Sequence, residues 1–183
     1  KVHLFPGSGV TTEDLAVAAQ KKETGQEFNV FTAGSLIRIK GFGLAIKAFK
    51  LFADKHPNTR LTIAGGGPEE SRLRRLISAS QLEHQVSLLG PIPRSDVMNR
   101  LASSDVLLFP SLRDGGGTVV IEAMSAAKPG VCLDASGPGL HITGECGIKV
   151  EPRSPGETMA SLADALERLY LDEGLRKKMG EAG

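Results

Sequence analysis

The sequence predicts a doubly wound α/β domain, with a parallel sheet covered by helices on both faces. Three observations predict it. The 183-residue length suits one domain, short apolar segments alternate with longer segments of helical spacing, and glycine-containing turns follow most of the apolar segments. Apolar strands buried on both faces are typical of parallel sheets, and right-handed crossovers place the helices on both sides. In such a sheet a ligand binds beyond the carboxyl ends of the strands.

Five apolar segments of strand length predict the sheet. They are rich in β-branched, leucine and phenylalanine residues and are bounded by glycine, proline or polar residues. In chain order the predicted strands are 28–34, 60–64, 86–89, 105–109 and 130–133.

Six segments with apolar residues three or four positions apart predict helices. They cover 41–56, 69–80, 94–103, 118–127, 157–171 and 175–181. The first repeats apolar residues from Leu44 to Phe52 and must end before Pro57. The second begins with acids, which suit a helix N-terminus, and Ser95 or its neighbour is the expected cap of the third. The fifth is amphipathic through residues such as Leu162 and Leu166.

Composition excludes several classes of protein. The net charge of +1 and the 4% aromatic content offer neither a basic field nor stacking platforms, so we expect no nucleic-acid partner. No apolar run approaches the roughly 18 residues of a membrane span, and residues 1–9 contain no signal-peptide core. Two cysteines make no disulfide framework, and Cys132 is expected in the core; the four histidines are scattered. We therefore expect no metal site and a cytoplasmic location.

The strongest candidate site joins the strand 105–109 to the next helix. It consists of Asp114, Gly115, Gly116, Gly117, Thr118 and Glu122. The glycines let the backbone approach a ligand, and the helix start offers unpaired N–H groups to a phosphate. A carboxylate beside a phosphate is reasonable if it accepts hydrogen bonds from hydroxyls such as those of a ribose. A glycine-rich loop with a solvated aspartate remains the alternative.

A second candidate site runs from Gly34 to Gly41 and carries Lys40 at a helix start, where the helix dipole disfavours a cation. A bound pyrophosphate would remove that objection; a solvated lysine is the alternative. The segment is not a P-loop, and no Gly-x-Gly-x-x-Gly opens the first helix, which argues against a nicotinamide dinucleotide. Residues 137–139 are expected to form an ordinary loop, and His141 is expected to be structural or on the surface.

Taken together, these segments resemble the glycosyl transferases group 1 family, the family 4 retaining enzymes with the GT-B fold. The resemblance is carried, in the family's order, by Val2–Val10, Ala33-Gly34-Ser35-Leu36 through Lys40-Gly41-Phe42, Ile63-Ala64-Gly65-Gly66-Gly67-Pro68-Glu69, Val86–Gly90, Ser104–Ser111, Glu122-Ala123-Met124 and Gly147–Val150. Each segment is modest alone, but the ordered set covers nearly the whole chain.

The resemblance implies a retaining transfer of a hexosyl group from a nucleoside-diphosphate sugar, a UDP-sugar or a GDP-sugar, in glycan or polysaccharide biosynthesis. The sugar nucleotide is then a substrate, and neither a cofactor nor a metal is needed. Lys40 matches the lysine that binds pyrophosphate, and Asp114 and Glu122 match the paired acids that hold the sugar and the ribose. By the same resemblance, Gly115, Gly116, Gly117 and Thr118 meet the donor phosphate and sugar, and Gly90 and Ile92 meet the base.

Two positions depart from the family pattern. Ser35 stands where a basic residue is usual, so one phosphate cation is missing, and Arg38 is near enough in sequence to replace it. Asp114 stands where glutamate is usual, and its carboxylate is one methylene shorter.

The resemblance also implies that residues 1–183 are the C-terminal, donor-binding, Rossmann-like half of a two-domain enzyme. By the same resemblance, the N-terminal half is expected to lie outside these residues. It would bind the acceptor, which could be a glycan, a lipid or a small molecule, would supply the catalytic residue, and could associate peripherally with a membrane. The isolated domain is then expected to be inactive. Two alternatives remain: a non-catalytic module that binds a nucleotide sugar, and a GT-B fold epimerase that acts on one.

Overall fold

The computed structural model describes residues 10–11 and 27–183 and contains one six-stranded parallel sheet. The strands are β1 (Phe28–Ala33), β2 (Thr59–Ala64), β3 (Val86–Leu88), β4 (Val106–Phe109), β5 (Gly130–Leu133) and β6 (Gly147–Val150). Their order in the sheet is β3-β2-β1-β4-β5-β6. This is the strand order of a Rossmann-like doubly wound fold, so the predicted fold class is confirmed.

Helices connect the strands on both faces of the sheet. They are α1 (Phe42–Ala53), α2 (Glu70–Ala79), α3 (Arg94–Ser103), α4 (Thr118–Ser125), α5 (Ser136–His141), α6 (Pro155–Leu171) and α7 (Glu173–Glu181). A short 3-10 helix, Arg38–Lys40, precedes α1. No helix among the residues that the structure describes is long and apolar enough to cross a membrane.

Alternation along the strands builds one hydrophobic cluster on each face of the sheet. Val30 of β1 belongs to a cluster with α1, α2, α6 and α7, whereas its neighbour Phe31 belongs to a cluster with α3 and α4. Successive side chains of a strand point to opposite faces, so strands apolar at every position need helices on both sides. Cys132 lies in the second cluster, where burial raises the pKa of its thiol to about 12, as suits a core residue.

Two elements differ from the sequence prediction. Residues 147–150 form the edge strand β6, which is short and carries the exposed Lys149, so its pattern is weak. Residues 136–141 form a helix rather than a loop. Pro138 occupies its first turn, where no backbone N–H donor is required, and Gly137 lies against the backbone of Asp114. In addition, α3 is capped by Pro93 without a side-chain hydrogen bond, not by Ser95.

The strand order reverses between β1 and β4, which are neighbours in the middle of the sheet. In an open α/β sheet, such a switch point leaves a crevice beyond the carboxyl ends of the two strands. Both predicted site segments, after β1 and after β4, start there. The segment 2–9 of the family resemblance lies outside the described residues.

Candidate functional site

A crevice of about 330 Å³ lies at the switch point. The polar side chains in its lining come from both predicted segments: Ser35, Lys40, Asp114, Thr118 and Glu122. Val97, Phe109 and Val119 give it an apolar wall. The fold therefore brings together side chains that are far apart in sequence.

Gly41 fixes the position of Lys40. It has a φ of +72° and caps α1, and a Cβ on it would lie 2.0 Å from the carbonyl oxygen of Pro110. Only glycine permits this approach at this φ without strain. The amide of Leu112 donates a 2.9 Å hydrogen bond to the carbonyl of Ile39. The loops after β1 and β4 are thus held together, with Lys40 between them.

Asp114 binds both loops. One carboxylate oxygen accepts hydrogen bonds from the amides of Gly116 and Gly117, at 3.1 and 2.8 Å, and the other pairs with the Lys40 ammonium. Partial burial raises the pKa of Asp114, but the hydrogen bonds from Lys40, Gly117 and Gly116 outweigh it, so this pKa lies below its ordinary value. The sequence analysis named no protein counter-charge for Lys40 at its helix start. In the structure, Asp114 is that counter-charge.

Gly117 is the N-cap of α4, whose first residue, Thr118, lines the crevice. The φ of +54° at Gly117 is left-handed, and the side chain of Pro138 packs against this glycine. Gly137 donates its amide to the carbonyl of Asp114 at 3.1 Å. The helix α5 thus supports the loop that precedes α4.

Glu122 projects from α4 into the crevice, and its side chain is only 8% exposed. Its Oε1 atom lies 3.2 Å from Nη2 of Arg94, the first residue of α3. Each acid of the crevice is therefore paired with a cation, Asp114 with Lys40 and Glu122 with Arg94. This compensation lowers the repulsion that two partly buried carboxylates would exert on an anionic ligand.

A second crevice of about 270 Å³ adjoins the first across Gly34 and Ser35. Its other wall contains Gly65, Gly66, Pro91 and Ile92. A Cβ on Gly65 would lie 1.9 Å from the carbonyl oxygen of Gly34, so the loops after β1 and β2 touch through their backbones. Gly90, with a φ of +76°, accepts a 2.8 Å hydrogen bond from the amide of Gly65 and shapes the turn before Ile92.

The structure does not bring Arg38 to either crevice. Its exposed side chain lines another cavity, 3.9 Å from Glu69. A 3-10 helix turns about 120° per residue, so side chains two positions apart, such as those of Arg38 and Lys40, point about 120° apart. In this structure the Arg38 side chain therefore lies away from the crevice that Ser35 lines, and its predicted role as the replacement cation stays a prediction.

Sequence reasoning missed Arg94. Its signal was a basic residue at the start of a predicted helix, which the helix dipole disfavours and which a nearby acid would compensate.

The predicted glycines Gly115 and Gly116 are exposed, and the Gly116 amide donates a hydrogen bond to Asp114. Within residues 10–11 and 27–183, no three side chains of the metal-binding types cluster.

A family model described as "Glycosyl transferases group 1" matches residues 16–183. The chain belongs to this family. It is 32% identical over 160 residues to a D-inositol 3-phosphate glycosyltransferase of Pseudarthrobacter chlorophenolicus, covering 85% of this chain and 37% of that protein. It is 30% identical over 181 residues to a GDP-mannose-dependent monoacylated alpha-(1-6)-phosphatidylinositol monomannoside mannosyltransferase of Corynebacterium glutamicum, covering 94% and 46%.

A solved structure has the same fold. The C-terminal domain of a glycosyl transferase group 1 family protein from Francisella tularensis superposes with a TM-score of 0.78 at 21% identity, covering 94% of this chain and 93% of that one. The chain spans less than half the length of the two curated relatives described above.

Proposed function

We propose that this chain is the donor-binding domain of a retaining glycosyltransferase and holds a nucleoside-diphosphate hexose in the two adjoining crevices. The observation that carries the proposal is the meeting of Lys40, the N-terminus of α4 and the buried Glu122 in one crevice at the switch point. A cation and a helix start suit a phosphate, and a buried carboxylate suits a diol. The family membership supplies the reaction class.

In this proposal Lys40 neutralises the pyrophosphate, whose negative charge grows as the sugar–phosphate bond breaks. The ribose hydroxyls donate to Glu122. The base lies toward Pro91 and Ile92 in the adjoining crevice. Asp114, which lines the same crevice beside Lys40, accepts hydrogen bonds from the sugar hydroxyls.

The lengths of the relatives support a proposal for where the remaining functions lie. Both relatives are more than twice the length of the matched segment, so we assign the acceptor site, the catalytic residue and any membrane contact to another part of the protein. One relative is named for GDP-mannose, which supports a nucleoside-diphosphate hexose as the donor class. We propose that the protein acts in the cytoplasm and needs no metal.

A thermal-shift screen of nucleoside diphosphates and their sugars tests the proposal, because a ligand that binds only the folded state raises Tm. Glu122→Gln should weaken both the diphosphate and its sugar by about 1.5–3 kcal/mol, the range for charged hydrogen bonds. Asp114→Asn should weaken the sugar-bearing donor more than the plain diphosphate, because only the sugar would contact this carboxylate directly. No shift with any of these ligands would contradict the proposal, and equal effects of the two variants would contradict the division of roles.

A non-catalytic module that binds a nucleotide sugar is the second candidate. The observation that favours it is the single phosphate cation: among the described residues lining the 330 Å³ crevice, Lys40 alone is basic. Turnover by the full-length protein decides between the two, and the anomeric configuration of the product, read by NMR, tests retention. Donor binding without turnover on any acceptor would favour the module.

A further inference from the structure

A further cavity, separate from the two adjoining crevices, has a volume of about 300 Å³. It lies across the Arg38–Lys40 turn from the 330 Å³ crevice, which is called the donor crevice below. The 300 Å³ cavity is called the second cavity. The loop after β1 and the loop after β4 contribute to the lining of both cavities. Lys40 and Asp114 line the donor crevice, whereas Arg38 and Leu112, two positions before each of them, line the second cavity. The volume is at the lower end of the range of small-molecule sites, about 300–1,000 Å³.

The lining of this cavity is cationic. Among the residues that the structure describes, four basic side chains and no acid line it; the basic ones are Arg38, Lys47, Arg72 and Arg153. Glu69 lies beside the cavity, 2.5 Å from Nε of Arg72 and 3.9 Å from Nε of Arg38, so one acid holds two guanidinium groups. Arg153 pairs with the exposed Glu151 at 3.0 Å. Two acids against four cations leave the region positive.

One helix start adds to this positive potential. Gly41 and Gly43 line the cavity at the start of α1, which has no side-chain cap and no acid in its first turn; Pro155 and Thr158 also line it, at the start of α6, but that start is capped by Ser154 and Glu157. A Cβ on Gly43 would lie 2.9 Å from Nη2 of Arg72, so the guanidinium lies directly against the first turn of α1. Helix starts and arginines both favour phosphate, and arginine can bind it with two parallel hydrogen bonds.

The remaining lining is apolar. Leu44, Leu112, Pro152 and Met159 line the cavity, and Leu112 is 53% exposed. An inorganic anion would leave this surface in contact with water. A phosphate that carries an apolar group would cover it, which is favourable by about 25 cal/mol per Å² of apolar area.

We propose that this cavity is a second ligand site, distinct from the donor site, which binds a phosphate ester with a short apolar body. Arg38 and Lys47 contact the phosphate from the open side, Arg72 contacts it from the start of α1, and Met159 and Leu112 contact the apolar body. Such an ester could be a soluble metabolite or the headgroup region of a phospholipid. The site does not depend on the proposed donor function.

Calorimetric titration with hexyl phosphate tests the site. Hexyl phosphate should bind more tightly than inorganic phosphate, and hexanol should not bind. Arg38→Ala and Lys47→Ala should each weaken hexyl phosphate about tenfold, as expected for one charge-assisted hydrogen bond. Both side chains are exposed, so both variants should fold. Lys50→Ala, also on α1 but outside the cavity lining, is the matched control and should bind like the unchanged protein.

Cross-comparison with the donor site separates the two proposals. Lys40→Ala should leave hexyl phosphate binding unchanged, and Arg38→Ala should leave nucleoside diphosphate binding unchanged. Loss of hexyl phosphate binding in Lys40→Ala but not in Arg38→Ala would overturn the second site, as would no binding at all. Equal affinity for inorganic and hexyl phosphate would overturn the role of the apolar lining.

A vesicle experiment identifies the source of the phosphate. Vesicles of phosphatidylglycerol and phosphatidylcholine that sediment the chain, with loss of sedimentation in Arg38→Ala, indicate a lipid phosphate. Hexyl phosphate binding without sedimentation indicates a soluble ester. Sedimentation that Arg38→Ala and Lys50→Ala reduce equally would show attraction by general surface charge and would contradict a lipid phosphate as the ligand of the site.

Discussion

The Lys40 ammonium and the Asp114 carboxylate form an ion pair between the loop after β1 and the loop after β4. The pair spans the switch point of the sheet and lies in the wall of the 330 Å³ crevice. Because the same carboxylate accepts the Gly116 and Gly117 amides, it also fixes the start of α4. Asp114 is therefore a structural residue of the site as well as a candidate contact for the sugar.

The first prediction concerns stability against pH. The folded pKa of Asp114 is lowered from 3.8, so its contribution to stability is fully present above that value and is lost as pH falls through the folded pKa. Asp114→Asn should lower the free energy of unfolding by roughly 1–2 kcal/mol at pH 7, the range for a charged hydrogen bond that is partly exposed.

Urea unfolding of both proteins between pH 7 and pH 2.5 measures this difference, which should shrink below about pH 4. Subtracting the free energy of unfolding of the variant from that of the unchanged protein cancels the titration of the other acids, which both proteins share. A difference that stays constant to pH 2.5, or grows as pH falls, would contradict the ion pair as the cause.

The second prediction concerns Arg94, which holds the carboxylate proposed to bind the ribose. Arg94→Ala should weaken a ribonucleoside diphosphate about tenfold, the loss expected when one charged hydrogen bond is misaligned. It should weaken the 2′,3′-dideoxy analogue less, since that ligand has no ribose diol to bind and loses only the charge compensation of Glu122. Competition titrations measure the ratio of the two dissociation constants, that of the dideoxy analogue to that of the ribonucleoside diphosphate.

Arg94→Lys should restore part of the preference for the ribonucleoside diphosphate that Arg94→Ala loses. Arg100→Ala, an exposed change near the other end of α3, is the matched control. If Arg94→Ala weakens both ligands equally, Arg94 is a structural residue and does not position Glu122. Binding of both ligands to the unchanged protein with equal affinity would instead contradict the ribose role of Glu122.

The third prediction concerns the turn that carries Lys40. Gly41→Ala should destabilise the chain by at least about 2 kcal/mol, because a left-handed φ costs an alanine about 1–2 kcal/mol and the Pro110 carbonyl must also move. Gly144→Ala is the control, since Gly144 is exposed and a Cβ there meets nothing within 4 Å. Equal Tm values for the two variants would show that the loops after β1 and β4 are not locked through Gly41.

The sequence was sufficient for the fold class and for bringing the candidate site to the switch point, because both depend on local patterns. Strand ends, glycine turns and helix starts identify the switch-point loops before any contact is known. The partners of charged groups depend on packing instead. Arg38 and Lys40 look equivalent in sequence, yet the 3-10 turn sends them to different cavities, and Arg94 meets Glu122 only because α3 and α4 are neighbours.

The central claim, that the crevice at Lys40 binds a pyrophosphate, is tested most directly by calorimetric titration of Lys40→Ala. The unchanged chain should bind a nucleoside diphosphate more tightly than the free nucleoside. Lys40→Ala should weaken the diphosphate by about 1.5–3 kcal/mol and leave the nucleoside unchanged, because the lost hydrogen bond is to a charged group. Lys50→Ala, which breaks a comparable Lys–Asp pair on α1, should change neither. Equal losses for both ligands, or no loss for either, would contradict the account.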